Sequence, residues 1–230
     1  MVDAFSAAPA VVLFPLVTFA VIVSAGRWMP LRGALAGIVA SFASLGLSLW
    51  LAVELLLGAS PLHEQVYTLS AGVEGAGVTL EFGLLFDPLS VLMLVIVSLV
   101  AGLVHLFSLG YMNDDIEEGS DERASLPRYY AGLSLFTFSM LAFVASDNLL
   151  MSFVFFELVG LCSYLLIGYW FREPGPASAA KKAFLVTRFG DYFFLIGVVA
   201  VFAVFETTAF AGEGSFVSQA TELAASGGEG

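Results

Sequence analysis

Leu149-Leu150-Met151-Ser152-Phe153-Val154-Phe155-Phe156-Glu157-Leu158-Val159-Gly160-Leu161-Cys162-Ser163-Tyr164-Leu165-Leu166-Ile167-Gly168-Tyr169-Trp170-Phe171 carries a single charged side chain, Glu157, in an otherwise apolar run. Its length decides the fold. A bilayer core needs about 20 consecutive apolar residues per helix, with a range of about 17–25. A soluble helix of that length would show a polar face. Blocks of the same kind recur at residues 8–25, 33–57, 87–111, 128–145 and 178–205. The pattern predicts an all-α membrane protein of about six transmembrane helices.

The breaks between blocks set the organisation. Ser146-Asp147-Asn148 is so short a turn that the helices on either side must be antiparallel neighbours. Arg172-Glu173-Pro174-Gly175-Pro176 separates the fifth block from the sixth, and Gly26 to Arg32 separates the first from the second. Val66-Tyr67-Thr68-Leu69 and Val78-Thr79-Leu80-Glu81-Phe82 alternate apolar and polar residues, with glycines at 72, 75 and 77 between them. That is a strand–turn–strand signal, and it predicts a short extracytoplasmic β-hairpin between helices two and three. Phe86-Asp87-Pro88 is a helix start, because Asp87 can cap free N–H groups and Pro88 suits the first helical position. Residues 112–127 form a loop rich in Asp and Glu that reads as a solvated linker. Four segments result: helices one and two over 1–57, the hairpin over 58–86, helices three to six over 87–206, and a polar tail over 207–230 with one short surface helix.

Composition narrows the class. The 230 residues are 59% hydrophobic and 12% charged, against about a quarter charged in soluble domains. The net charge of −12 argues against nucleic acid as a partner and against anchoring to anionic lipid. Cys162 is the one cysteine, so no internal disulfide forms and no Cys or His cluster offers ligands for an iron–sulfur centre or haem. The N-terminal apolar run lacks the basic residues that precede a secretory signal, and Asp3 stands there instead; it reads as a first membrane helix. Every basic residue but Arg188 falls in alternate loops: Arg27 and Arg32, then Arg123 and Arg128, then Arg172, Lys181 and Lys182. By the positive-inside rule those loops are cytoplasmic. The chain is then a multi-pass protein of the cell (inner) membrane, with both termini and the hairpin extracytoplasmic.

Charges inside spanning helices cost about 2.5–3.5 kcal/mol each on insertion scales and persist where they face helices, water or partners. Glu157 lies mid-helix. It can relay protons, or it can sit neutral and hydrogen-bonded to a neighbouring helix. Arg188 and Asp191 are three apart and share a helix face, as an internal ion pair or as a pair that tunes the helix-five carboxyl. His105, towards the cytoplasmic end of helix three, is a packing residue or a proton relay, since imidazole titrates near neutrality. Lys181 and Lys182 mark the cytoplasmic start of helix six, where snorkelling explains them.

Glu157 to Gly168 resembles the helix-five signature of the large antiporter-like subunit of proton-pumping NADH:quinone oxidoreductase, called L in bacteria, subunit 5 in mitochondria and F in chloroplast complexes. Lys182-Ala183-Phe184-Leu185-Val186-Thr187-Arg188-Phe189-Gly190-Asp191 resembles its helix-six signature. Phe86 to Ser90, His105 with Tyr111-Met112, and Ser146 to Leu150 resemble further parts of it. The resemblance implies a translocase subunit that couples quinone reduction elsewhere in the complex to proton transfer. It implies a proton pathway through Glu157, Arg188, Asp191, Lys182 and His105. No cofactor is expected on this chain; quinone, FMN and iron–sulfur clusters are expected on partner subunits. The expected partners are the other membrane subunits of the complex and the bilayer. Family members are more than twice as long and pair the helix-five glutamate with a lysine on a broken seventh helix. The lysines here are Lys181 and Lys182, neither of which replaces it, so the chain is read as the N-terminal part of such a subunit and is not expected to move protons alone. Two alternatives stand beside this reading: a subunit of a multi-subunit sodium/proton antiporter, and a non-catalytic six-helix scaffold.

Overall fold

The fold is described from a computed structural model, which covers residues 7–58, 62–73, 76–113, 121–212 and 214–226. The acidic positions 114–118 expected in a linker lie outside the described residues. Six long helices dominate: α1 (Ala8–Ala25), α2 (Ala34–Leu56), α3 (Pro88–Asn113), α4 (Asp121–Val144), α5 (Leu149–Ile167) and α6 (Pro174–Phe205). A short α7 (Phe216–Ser226) follows, and β1 (Leu62–Val73) pairs antiparallel with β2 (Ala76–Phe86) between α2 and α3.

Five helices, α1, α2, α3, α5 and α6, are long and apolar enough to cross a membrane. Their outward faces are what lipid requires. Val39, Leu185 and Val204 are 67%, 68% and 69% exposed, and contiguous apolar surface on this scale marks an interface or a membrane in a folded protein. The fourth helix is different. It touches α1, α2, α3 and α5, and it buries Ser134, Thr137 and Ser139. A helix surrounded by helices has less need of an apolar surface, and small and polar residues let neighbours approach. Thr137 and Ser139 donate to the carbonyls of Leu133 and Leu135 one turn back, so neither hydroxyl is stranded. The face of α2 carries the same small-residue logic in Gly37, Ala40, Ser41, Ser44 and Ser48, all buried.

Three helix boundaries differ from the sequence expectation. The fourth helix starts at Asp121 rather than near 128, because Asp121-Glu122-Arg123 and Pro127 hide helical chain behind charge and a helix-breaking residue. The sixth starts at Pro174 rather than 178. Proline costs nothing in a first turn, where the N–H has no intrahelical partner, so Pro174 and Pro176 begin the helix instead of excluding it. The fifth stops at Ile167, capped by the Gly168 N–H, short of Phe171.

Apolar packing is concentrated at the two ends of the bundle. At one end Ile22, Ala34, Met112, Leu126, Tyr130 and Tyr169 pack together; at the other, Val11, Leu51, Phe86, Leu94, Leu141 and Met151 do. The second end is tied by the Ser146-Asp147-Asn148 turn. Asn148 Oδ1 accepts the Met151 N–H at 2.7 Å, capping α5. Asp147 Oδ1 accepts from the Gly83 N–H at 3.1 Å and from Asn148 Nδ2 at 2.8 Å. The Leu85 N–H reaches the Ala145 carbonyl, and the Phe210 N–H reaches that of Asp147, both at 2.9 Å. One buried turn thus joins α4, α5, the end of β2 and the segment after α6.

Candidate functional site

The seam between α5 and α6 holds the charges. Glu157 lies near the middle of α5, and Arg188 near the middle of α6. The Arg188 guanidinium contacts the Glu157 carboxylate directly, and its Nη1 stands 4.0 Å from Asp191 Oδ2. Asp191 is the most enclosed of the three; its side chain is 10% exposed, against 19% for Glu157 and 27% for Arg188. The ring of Phe184, one turn before Arg188, lies under the guanidinium with 4.6 Å to its centroid, a cation–π contact on the face the carboxylates leave open.

The helix geometry makes this possible. Phe184, Arg188 and Asp191 are spaced four and three apart, so one stripe of α6 presents all three to α5. Chemically, the cluster has two carboxyls and one guanidinium, which stays charged. It is neutral with one proton bound and carries −1 with none. Charge in a bilayer is costly, so a site that changes charge by one on gaining or losing a proton is suited to holding a proton in transit.

The remaining candidates do not join this cluster. Lys182 is exposed and sits six residues before Arg188, about 9 Å along the helix. His105 is fully buried on the far side of α4, among α2, α3 and α4. Its Nδ1 lies 2.9 Å from the Ala101 carbonyl and 3.2 Å from Ser41 Oγ. A carbonyl only accepts, so Nδ1 carries a hydrogen. Nε2 and the neighbouring Ser134 Oγ have no hydrogen-bond partner among the described residues. Both border Gly37: a methyl there would stand 2.8 Å from Nε2 and 3.5 Å from Ser134 Oγ. Across α4, Ser139 Oγ approaches Cys162 Sγ at 3.8 Å. Among the described residues no hydrogen bond connects the His105 group to Glu157.

Sequence reasoning singled out the ions and missed what surrounds them. Phe184 had no polar signal to mark it. Gly37 reads as one more small residue, yet its missing side chain is the space His105 occupies. No group of three or more His, Cys, Asp or Glu side chains among the described residues could hold a metal ion.

Comparison with known proteins agrees in one direction. Residues 73–130 match the family described as NADH-Ubiquinone oxidoreductase (complex I), chain 5 N-terminus, and residues 146–227 match that described as NADH:quinone oxidoreductase/Mrp antiporter, TM. The chain is 43% identical to F(420)H(2) dehydrogenase subunit L of Methanosarcina mazei over 189 residues, which is 82% of this chain and 26% of that protein. It is 38% identical over 205 residues to NADH-quinone oxidoreductase subunit L of Mycobacterium tuberculosis, 87% of this chain and 30% of that one. The chain therefore spans less than a third of the length of either relative. A chain in the structure of the membrane-bound sulfane sulfur reductase, an archaeal respiratory membrane complex, shares the fold. Its TM-score is 0.69 at 17% identity, over 88% of this chain and 38% of that one.

Proposed function

Because the chain belongs to the antiporter-like membrane subunits of the NADH:quinone oxidoreductase family, we propose that it is part of a proton-translocating subunit of a quinone-reducing complex. In this reading quinone reduction on partner subunits drives proton transfer through the membrane domain. FMN, clusters and quinone are held by those partners. The observation that carries the reading is the Glu157–Arg188–Asp191 cluster, which lies halfway along two helices long and apolar enough to cross a membrane.

Glu157 is the proton-accepting group. Arg188 holds its carboxylate and stabilises it when the proton leaves. Asp191 shares that guanidinium and positions it. His105 is a separate station on α3, and Lys182 is an entry residue at the basic end. The fourth helix spans the bilayer with the other five, and the strand pair lies outside. Support for that orientation comes from Arg27, Arg32, Arg128, Arg172, Lys181 and Lys182, which all fall where α1 and α5 end and α2, α4 and α6 begin; such loops remain cytoplasmic. Both termini then fall on the opposite side.

A sodium/proton antiporter subunit is the second reading, favoured by a family description that joins both kinds of complex. The relatives' names favour the first. Affinity purification of the tagged chain from its own membranes separates them. Co-elution with quinone-reducing, cluster-bearing subunits is expected. Co-elution with cation-antiporter subunits instead, or with no membrane partner, overturns the proposal.

A further inference from the structure

A cleft of about 670 Å³ opens among α1, α4, α5 and the start of α6, at the basic end of the bundle. That volume falls within the range of small-ligand sites, about 300–1,000 Å³. Its walls are apolar, with Phe19, Ile22, Leu135 and Leu165 among them. Three cationic side chains stand on the same lining: Arg27, Arg128 and Lys181. In a chain with 8 basic residues and a net charge of −12, their convergence on one cleft is a departure from the average surface.

These cations are not spoken for. Arg128 donates to the Tyr169 carbonyl at 2.9 Å and lies over the rings of Tyr169 and Phe171 at 5.2 and 5.0 Å. That fixes the guanidinium without neutralising it. Among the described residues none of the three has a carboxylate partner. All three are exposed, so they stand at the mouth and not in the wall.

We propose that this cleft binds an anionic glycerophospholipid of the surrounding bilayer. The phosphodiester sits against Arg27, Arg128 and Lys181, and one acyl chain enters between α1, α4 and α5. Charge and shape choose the occupant together. A zwitterionic lipid carries the same phosphodiester but brings a further cation to the three already there. A free anion would leave the apolar walls unfilled. Basic pockets between helices at the cytoplasmic side are suited to acidic headgroups. The overall negative charge of the chain argues against general attraction to acidic lipid, and the cleft makes that attraction local. The inference needs the chain to span a bilayer and nothing more of its function.

The test uses the full chain in nanodiscs of phosphatidylcholine doped with increasing phosphatidylglycerol, with bound lipid counted by native mass spectrometry. Phosphatidylglycerol is expected to be retained selectively. Arg27→Gln with Lys181→Gln should weaken that retention about 25-fold, at about a factor of five per basic side chain near the headgroup. Ala177→Trp, which sets an indole in the cleft and leaves every charge in place, should also weaken it, without changing the basic surface. Equal retention of both lipids overturns the proposal. So does selectivity that survives both variants, and so does displacement by inorganic phosphate alone, which would make the site one for a soluble anion.

Discussion

Replacing Arg188 by glutamine should destabilise the protein more than replacing Glu157 by glutamine, though the two side chains touch. Among the described residues Arg188 is the one cation facing two carboxylates. At the 4.0 Å that separates it from Asp191, the attraction is about 4 kcal/mol for an effective dielectric constant of 20. Removing one partner of a buried pair typically costs about 3–5 kcal/mol. The side chains here keep 10–27% of their exposure, which places the cost of Arg188→Gln nearer ~2–3 kcal/mol. Glu157→Gln leaves one cation facing one anion, and the amide oxygen can still accept from the guanidinium, so its cost should be about 1 kcal/mol or less. The double variant should cost less than the sum of the two by about 1–2 kcal/mol. The assay is equilibrium unfolding in mixed micelles with rising denaturing detergent, followed by the fluorescence of Trp28, Trp50 and Trp170. If Glu157→Gln costs as much as Arg188→Gln, or if the two are additive, Arg188 does not serve both carboxylates and the cluster is misread.

Other perturbations follow from the same contacts. Gly37→Ala places a methyl 2.5 Å from His105 Cδ2 and should cost about 1–3 kcal/mol through overpacking; adding His105→Ala should recover most of it in the same unfolding assay. Asn148→Ala removes the cap on the Met151 N–H and a donor to Asp147. A loss of about 1 kcal/mol is expected, with faster amide hydrogen exchange at Met151 and Gly83. Lys182→Gln should change stability by less than ~0.5 kcal/mol, since the side chain is exposed and has no ion-pair partner among the described residues.

Much of this was readable from the sequence, for definite reasons. Long apolar runs with few charges read as membrane helices, and a charge set inside one, as Glu157 in α5 and Arg188 in α6, marks it as a candidate site. The Arg188–Asp191 pairing follows from helical spacing. The contact between Glu157 and Arg188 does not, because the rotation of one helix against another is set by packing and leaves no periodic trace in the chain. The starts of α4 and α6 were obscured for a related reason. Charged residues and prolines suppress a hydropathy signal even where the backbone is helical, as at Asp121-Glu122-Arg123 and Pro174. The basic cleft was invisible to a linear reading. Arg27 follows α1, Arg128 lies near the start of α4 and Lys181 near the start of α6, and each has an innocent explanation as a charge at a helix end until the fold brings them together.

If the α5/α6 cluster carries a proton in transit, its working group is Glu157. The most direct measurement is quinone-coupled proton uptake in membrane vesicles bearing the assembled complex with Glu157→Gln, alongside quinone reduction and complex assembly. Proton transport should fall sharply while assembly is retained, because the amide fills the same space and accepts from Arg188 but cannot exchange a proton. Undiminished proton transport in that variant would show that Glu157 only pairs with Arg188 and that the proton crosses elsewhere.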